Sequence, residues 1–168
     1  AELASAYFAS SSIFLTYGED LVIDTARSHR DFITDPLLKQ RVTSLIGQEA
    51  IHSKMHEEMN DAYLECDLPV KLFRFLAHYV FEYGFNRFPQ PMKLSLMAGI
   101  EHFTAVLAEY MMHHEEIFFR SQDEKQRAIW MWHMLEESEH KDIAYDVFQE
   151  LSNNYALRMA GFFPALIT

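Results

Sequence analysis

Gln48-Glu49-Ala50-Ile51-His52 and Glu137-Ser138-Glu139-His140 share one spacing, a glutamate three residues ahead of a histidine. On a helix such residues lie on the same face, about one turn apart, so each pair can bring one carboxylate and one imidazole to a single metal ion. Around the first pair, Leu38, Val42, Leu45, Gln48, Glu49, His52, Met55, His56 and Met59 form one stripe at steps of three and four. Around the second, Ile129, Trp130, His133, Glu136, Glu137, His140 and Ala144 do the same. This is the period of a helix facing a core. An inward stripe is apolar unless its polar members have partners, because burying an unpaired polar group is costly. With 16 Glu and 9 His in the chain, about one Glu-x-x-His is expected by chance. The mid-helix, apolar setting of both is therefore the stronger signal.

Working outward, sparse punctuation divides the chain into long helical pieces. The first is predicted over about 3–33. Asp35-Pro36 reads as an N-cap followed by proline at the first helical position, opening a second helix to about Leu64. Pro69 opens a third to about Phe88, and Pro89-Gln90-Pro91 breaks the chain before a fourth, about 92–119. Ser121-Gln122-Asp123-Glu124 has capping-box spacing and starts a fifth, ending near Leu151, with Asn153-Asn154 as a stop. The tail from Tyr155 reads as a partial sixth helix.

The first and fourth helices each offer one more acid in an apolar setting, Glu19 after Phe14-Leu15-Thr16-Tyr17-Gly18 and Glu101 after Met97-Ala98-Gly99-Ile100. Measured from a turn near Thr34-Asp35, Glu19 lies about 15 residues before and Glu49 about 14 after, which places both at one height in an antiparallel pair. From a turn near Ser121, Glu101, Glu137 and His140 lie about 20, 16 and 19 residues away and agree to about one turn. Two Glu-x-x-His helices and one Glu from each of two others make the di-iron bundle site. The fold expected is thus all-α: one ferritin-like four-helix bundle domain over residues 1–168, with the third helix as a crossover and a partial C-terminal helix. The expected metal ligands are Glu19, Glu49, His52, Glu101, Glu137 and His140. Four carboxylates and two neutral imidazoles balance two divalent ions; without metal, four buried Glu would repel and several would protonate. Iron is the expected metal, with manganese or zinc as alternatives.

Composition sets outer limits. Apolar residues make up 49% of the chain and charged residues 23%, an ordinary globular balance, while Gly and Pro number five each, too few for the turns of an all-β fold. A formal charge of −11 argues against nucleic acid as a partner, since phosphate contacts need clustered cations. Cys66 is the single cysteine, so there is no disulfide framework and no Cys-based zinc site. No apolar run reaches the roughly 18 residues of a membrane span, and no signal peptide is visible, which leads to a cytoplasmic expectation. The chain begins at Ala1 and stops within Phe162-Phe163-Pro164-Ala165-Leu166-Ile167, so the natural protein is expected to be longer. Gly-rich phosphate loops, Gly-x-Ser-x-Gly and Cys-His pairs at known spacings are lacking.

The segments Gly18-Glu19, Gln48-Glu49-Ala50-Ile51-His52, Glu101-His102-Phe103-Thr104-Ala105 and Trp132-His133-Met134-Leu135-Glu136-Glu137-Ser138-Glu139-His140-Lys141, followed by Ala144 and Asp146, resemble the bacterial family labelled predicted metal-dependent hydrolases. The resemblance runs from about Phe14 to Asp146, and its last motif is the most specific. It implies metal binding. Motif order also resembles the ferritin-like di-iron oxidases and oxygenases. In those enzymes an acidic residue just before a ligand Glu accepts a hydrogen bond from a histidine ligand on another helix, which implies that role for Glu136; a surface acid is the alternative. His133 and His56, four residues from Glu137 and His52, read as extra ligands, proton shuttles or satisfied core histidines. Asp146 reads as a support of the site or as a partner of Arg27 or Arg30. Gly18 reads as a point of close helix contact. His102 points about 100° away from Glu101 and is not expected at the same ion. His113-His114-Glu115-Glu116 reads as solvated, and Tyr17, Tyr145 and Trp132 as core aromatics more readily than as redox groups.

Three functions compete. The foremost is an O2-activating oxidoreductase acting on a small apolar substrate, with iron held by Glu and His, greasy walls from Phe14, Met97, Phe103, Met134 and Ile143, and a reductase as electron donor. The alternative is a metal-dependent hydrolase using a metal-bridged hydroxide. The third is an iron-handling, ferritin-like protein. A small-molecule substrate is expected in the first two, and assembly as a homodimer is left open.

Overall fold

A computed structural model describes residues 2–65, 69–120 and 122–166, and side chains from residue 7 onward. Its helices are α1 (Glu2–Arg30), α2 (Pro36–Tyr63), α3 (Val70–Tyr83), α4 (Gln90–His113), α5 (Glu115–Phe118), α6 (Glu124–Leu151) and α7 (Tyr155–Ala165), with one 3₁₀ turn at Phe85–Arg87. No strand occurs among the described residues. The chain is an all-α helical bundle. No helix among the described residues is long and apolar enough to cross a membrane.

Local chemistry sets the helix ends. Asp35 caps α2 by accepting from Leu37 N at 2.8 Å, with Pro36 in the first turn. Asp123 caps α6, accepting from Lys125 N at 2.9 Å and Gln126 N at 3.0 Å. The predicted capping box began at Ser121, which lies outside the described residues, as does Cys66. Asn154 caps α7 through Leu157 N, and Asn153 makes the preceding bend at φ 47°, a left-handed conformation that asparagine tolerates.

Two predicted helices are shorter than expected. The third stops at Tyr83 because the chain leaves helical geometry at Gly84 and tightens into the 3₁₀ turn. The fourth stops at His113. There the imidazole Nδ1 atoms of His113 and His114 bond the carbonyls of Glu109 and Tyr110, at 2.7 and 2.8 Å, occupying acceptors at a helix end. His114 then sits at φ −127°, ψ 40°, ahead of the short α5.

Helices α1, α2, α4 and α6 form a closed ring: α1 packs on α2, α2 on α6, α6 on α4 and α4 on α1. Crossover helix α3 lies against α1, and α7 lies along α4. At the α4–α7 contact, Gly161 meets the α4 backbone. A Cβ there would stand 2.2 Å from Ser95 Oγ and 2.5 Å from the Ser95 carbonyl carbon. Ser95 Oγ also donates to Leu157 O at 2.6 Å, tying the helices together.

The interior is layered. One apolar cluster holds Leu21, Val22, Val42, Leu45, Leu96, Met97, Ala144, Val147 and Phe148. A second holds Phe8, Ala108, Met111, Trp130 and Met134. Each buried side chain of Leu or Phe size contributes about 1.5–3 kcal/mol. In α1, α4 and α6 the polar residues Glu19, Glu101, Glu137 and His140 fall between the segments feeding these two clusters, and in α2 Glu49 and His52 fall between Leu45 of the first and the half-buried Met59 packed against the second. The apolar layers therefore hold the polar one in place and exclude water from it.

Candidate metal centre

All six expected ligand residues are buried and converge. Relative exposure is 4% for Glu19, 1% for Glu49, 2% for Glu101, 4% for Glu137 and 0% for His52 and His140. His140 Nδ1 lies 2.6 Å from Glu49 Oε1, 3.5 Å from Glu101 Oε2 and 3.7 Å from Glu137 Oε1. His52 Nδ1 lies 3.4 Å from Glu137 Oε1 and 3.8 Å from Glu49 Oε2. Two groups of four side chains bring ligand atoms within 4.8 Å of one another: Glu19, His52, His133 and Glu137, and Glu49, Glu101, Glu137 and His140. Glu137 belongs to both.

The outer contacts orient these groups. His52 Nε2 is 2.8 Å from Glu136 Oε2. A carboxylate only accepts, so Nε2 carries the proton and Nδ1 turns inward. This is the contact the resemblance implied for Glu136, between α6 and α2. His56 Nε2 lies 3.3 Å from Glu19 Oε1, and its Nδ1 lies 2.9 Å from Ser12 Oγ. His133 Nε2 is 3.4 Å from Glu137 Oε1, and its ring centroid is 4.1 Å from that of His52. Both histidines lie beside acids of the cluster.

Burial and mutual repulsion dominate the electrostatics. Burial, then the charge of Glu49, raises Glu101 to about 8; burial, then Glu49 and Glu137, raises Glu19 well above the carboxylate range. Burial opposes protonation of His52, yet the adjacent carboxylates of Glu137 and Glu49 push it up to about 10. The same balance, with Glu101 and Glu49 as partners, pushes His140 up to about 11. Burial alone would raise Glu137, but His52, His133 and His140 outweigh it and hold it at about 2. Burial lowers His133 to about 4 and keeps His56 well below the usual imidazole value.

Without cations, protons would have to do the neutralising. Donor alignment supports cations. Glu19 Oε1 and Oε2, Glu49 Oε1, His52 Nδ1, Glu101 Oε2 and both ring nitrogens of His140 are buried without a hydrogen-bond partner. Orphaned lone pairs from three carboxylates and two imidazoles, aimed at one interior, are costly unless an ion shares them. The residue set fits divalent cations.

Other expectations are corrected. Asp146 does not support the centre and pairs with neither Arg27 nor Arg30; it meets Arg41 at 2.9 Å, because its helical face turns toward α2. Gly18 is not a point of tight packing, as a Cβ there would find only Phe81 Cζ, at 4.0 Å. Met97 and Ile143 are packed into the core, whereas Phe14 and Phe103 line a groove between α1 and α4. His102 faces outward against Phe103 and Phe162, as expected. Of the aromatics, Trp132 sets its edge on His52 with centroids 5.2 Å apart, Tyr17 stacks on Phe81 and Tyr145 lies beneath Arg158. Ser12 went unnoticed in the sequence; only folding brings it to His56.

The centre has an apolar approach. A cavity of about 40 Å³ touches His133 and Glu137 and is otherwise walled by residues such as Trp130, Met134, Leu107 and Thr104. It shares Ser11, Leu15, Thr104 and Leu107 with the α1–α4 groove, which measures about 470 Å³ and has no charged residue in its lining.

A family model described as "Predicted metal-dependent hydrolase" matches residues 1–168. No curated protein and no solved structure matches the chain. The family match overturns the oxidoreductase expectation and favours the hydrolytic alternative. The physical reason for the error is that Glu and His ligands suit both chemistries, so the donor set does not discriminate.

Proposed function

Because the chain belongs to the predicted metal-dependent hydrolase family, we propose that it hydrolyses a small organic substrate at a pair of divalent cations held by Glu19, Glu49, His52, Glu101, Glu137 and His140. The observation that carries this is the pair of buried four-residue groups joined at Glu137. Divalent cations supply Lewis acidity and the means to make a nucleophile from water near neutral pH.

The chain's own residues do the rest. Glu136 holds the proton on His52 Nε2, leaving the Nδ1 lone pair to face a cation. Glu137, the one carboxylate common to both groups, is the fixed negative charge at the middle. His56, kept neutral by burial, is anchored at Nδ1 by Ser12 Oγ and stands beside the Glu19 carboxylate. The apolar layers keep bulk water away, which strengthens every charge interaction inside. The α1–α4 groove receives the apolar part of the substrate and directs its reacting end toward Glu137 and His133.

The test is hydrolysis under anaerobic conditions. Purified chain loaded with zinc or manganese is assayed on chromogenic esters, amides and phosphoesters, before and after chelation. Turnover without O2 that disappears on chelation and in Glu49→Ala/His140→Ala is the expected result. Turnover that survives chelation, or metal content that survives the double substitution, would falsify the proposal.

A further inference from the structure

The two groups that share Glu137 are not alike. The first has two imidazoles and two carboxylates, from Glu19, His52, His133 and Glu137. The second has one imidazole and three carboxylates, from Glu49, Glu101, Glu137 and His140. A third imidazole, His56, stands beside the first group alone, with Nε2 3.3 Å from Glu19 Oε1 and its ring 4.9 Å from that of His133. His133 makes the difference. It is buried at 4% exposure, and its Nε2 reaches Glu137 Oε1 at 3.4 Å.

Imidazole donors suit zinc and the later first-row ions, whereas carboxylate donors suit manganese and magnesium. Resting on the proposal of a two-cation hydrolytic centre, we infer that the sites have different metal preferences: His133 is a direct ligand that makes the Glu19 site the tighter, zinc-selective one. The Glu49–Glu101 site is weaker and takes an oxygen-loving ion such as manganese. The resting centre is then mixed-metal, with Glu137 placed to serve both ions.

Metal titration tests this without any activity assay. Metal-free chain is titrated with Zn²⁺ against a chromophoric chelator, and chain holding one equivalent of zinc is titrated with Mn²⁺ and followed by electron paramagnetic resonance. The first zinc is expected to bind more than about tenfold tighter than the second. Manganese is expected to add one equivalent without displacing zinc. Losing an outer partner of a ligand weakens metal affinity by about 10–100-fold, so losing a ligand should cost at least as much. His133→Ala should therefore weaken the first zinc by more than about tenfold and leave the manganese equivalent in place. His133→Asn, with circular dichroism on both variants, separates ligand loss from misfolding. Two indistinguishable zinc ions, or a first zinc unaffected in a folded His133 variant, would overturn this inference and leave the hydrolytic proposal standing. A chain that binds neither ion defeats both.

Discussion

Replacing Glu136 by alanine removes the acceptor 2.8 Å from His52 Nε2. His52 itself is fully buried, whereas the Glu136 side chain is 22% exposed, so water can enter on that side and bond Nε2 in its place. Loss of an outer partner of a metal-bound histidine costs about 10–100-fold in affinity. Replacement by water puts this case near the lower end, about tenfold, or roughly 1.4 kcal/mol. Glu136→Gln keeps an acceptor of equal reach and should lose less. Glu139→Ala, an exposed acid on the same helix, is the control and should lose nothing. Zinc affinity measured by chelator competition distinguishes the three. If Glu136→Ala binds zinc as tightly as Glu139→Ala, the orientation of His52 does not depend on this contact and the reasoning fails.

Loading with cation at about 100 times its dissociation constant should stabilise the fold by about 2.7 kcal/mol. At about 2–4 °C per kcal/mol for a chain of this size, Tm should rise by roughly 5–11 °C in a calorimetric scan, and chelation should reverse it. His52 and His140, pushed up to about 10 and 11, and Glu101, raised to about 8, all keep protons at neutral pH without metal. Zinc binding should therefore release protons, read as a buffer-dependent heat in titration calorimetry; a buffer-independent heat would contradict this. The same groups have folded pKa values above their unfolded ones. Between pH 6.5 and 8 the unfolded chain binds fewer protons, and metal-free stability should fall as pH rises; a flat or rising denaturation midpoint would contradict this. Gly161→Ala forces a Cβ into the Ser95 and Leu96 backbone and should cost about 1–3 kcal/mol, or roughly 2–12 °C in Tm, while metal stoichiometry stays at the parent value.

Much of the bundle was legible because its signals are local. Asp35-Pro36 capped and opened α2 as the residue types dictate, and Asn153-Asn154 ended one helix and began the next. The polar layer was legible because Glu49, His52, Glu137 and His140 interrupt stripes that otherwise belong to a core. What escaped depended on helix rotation and on contacts distant in sequence. Asp146 turned toward Arg41, and Ser12 reached His56 from another helix. Boundaries at Gly84 and His114 were hidden because the helical pattern runs through them, and only side-chain bonding to the last carbonyls marks the second. The chemistry escaped for a different reason: the same ligands serve more than one reaction.

The shared carboxylate of Glu137 has a genetic consequence. A change at Glu19 or Glu101 touches one group of donors, whereas a change at Glu137 removes a member from both. Tolerance to variation should therefore be uneven across a ring of residues that look equivalent in sequence. Aspartate at Glu137 would shorten the reach toward two partners at once, and no single compensating change on one neighbouring helix could restore both.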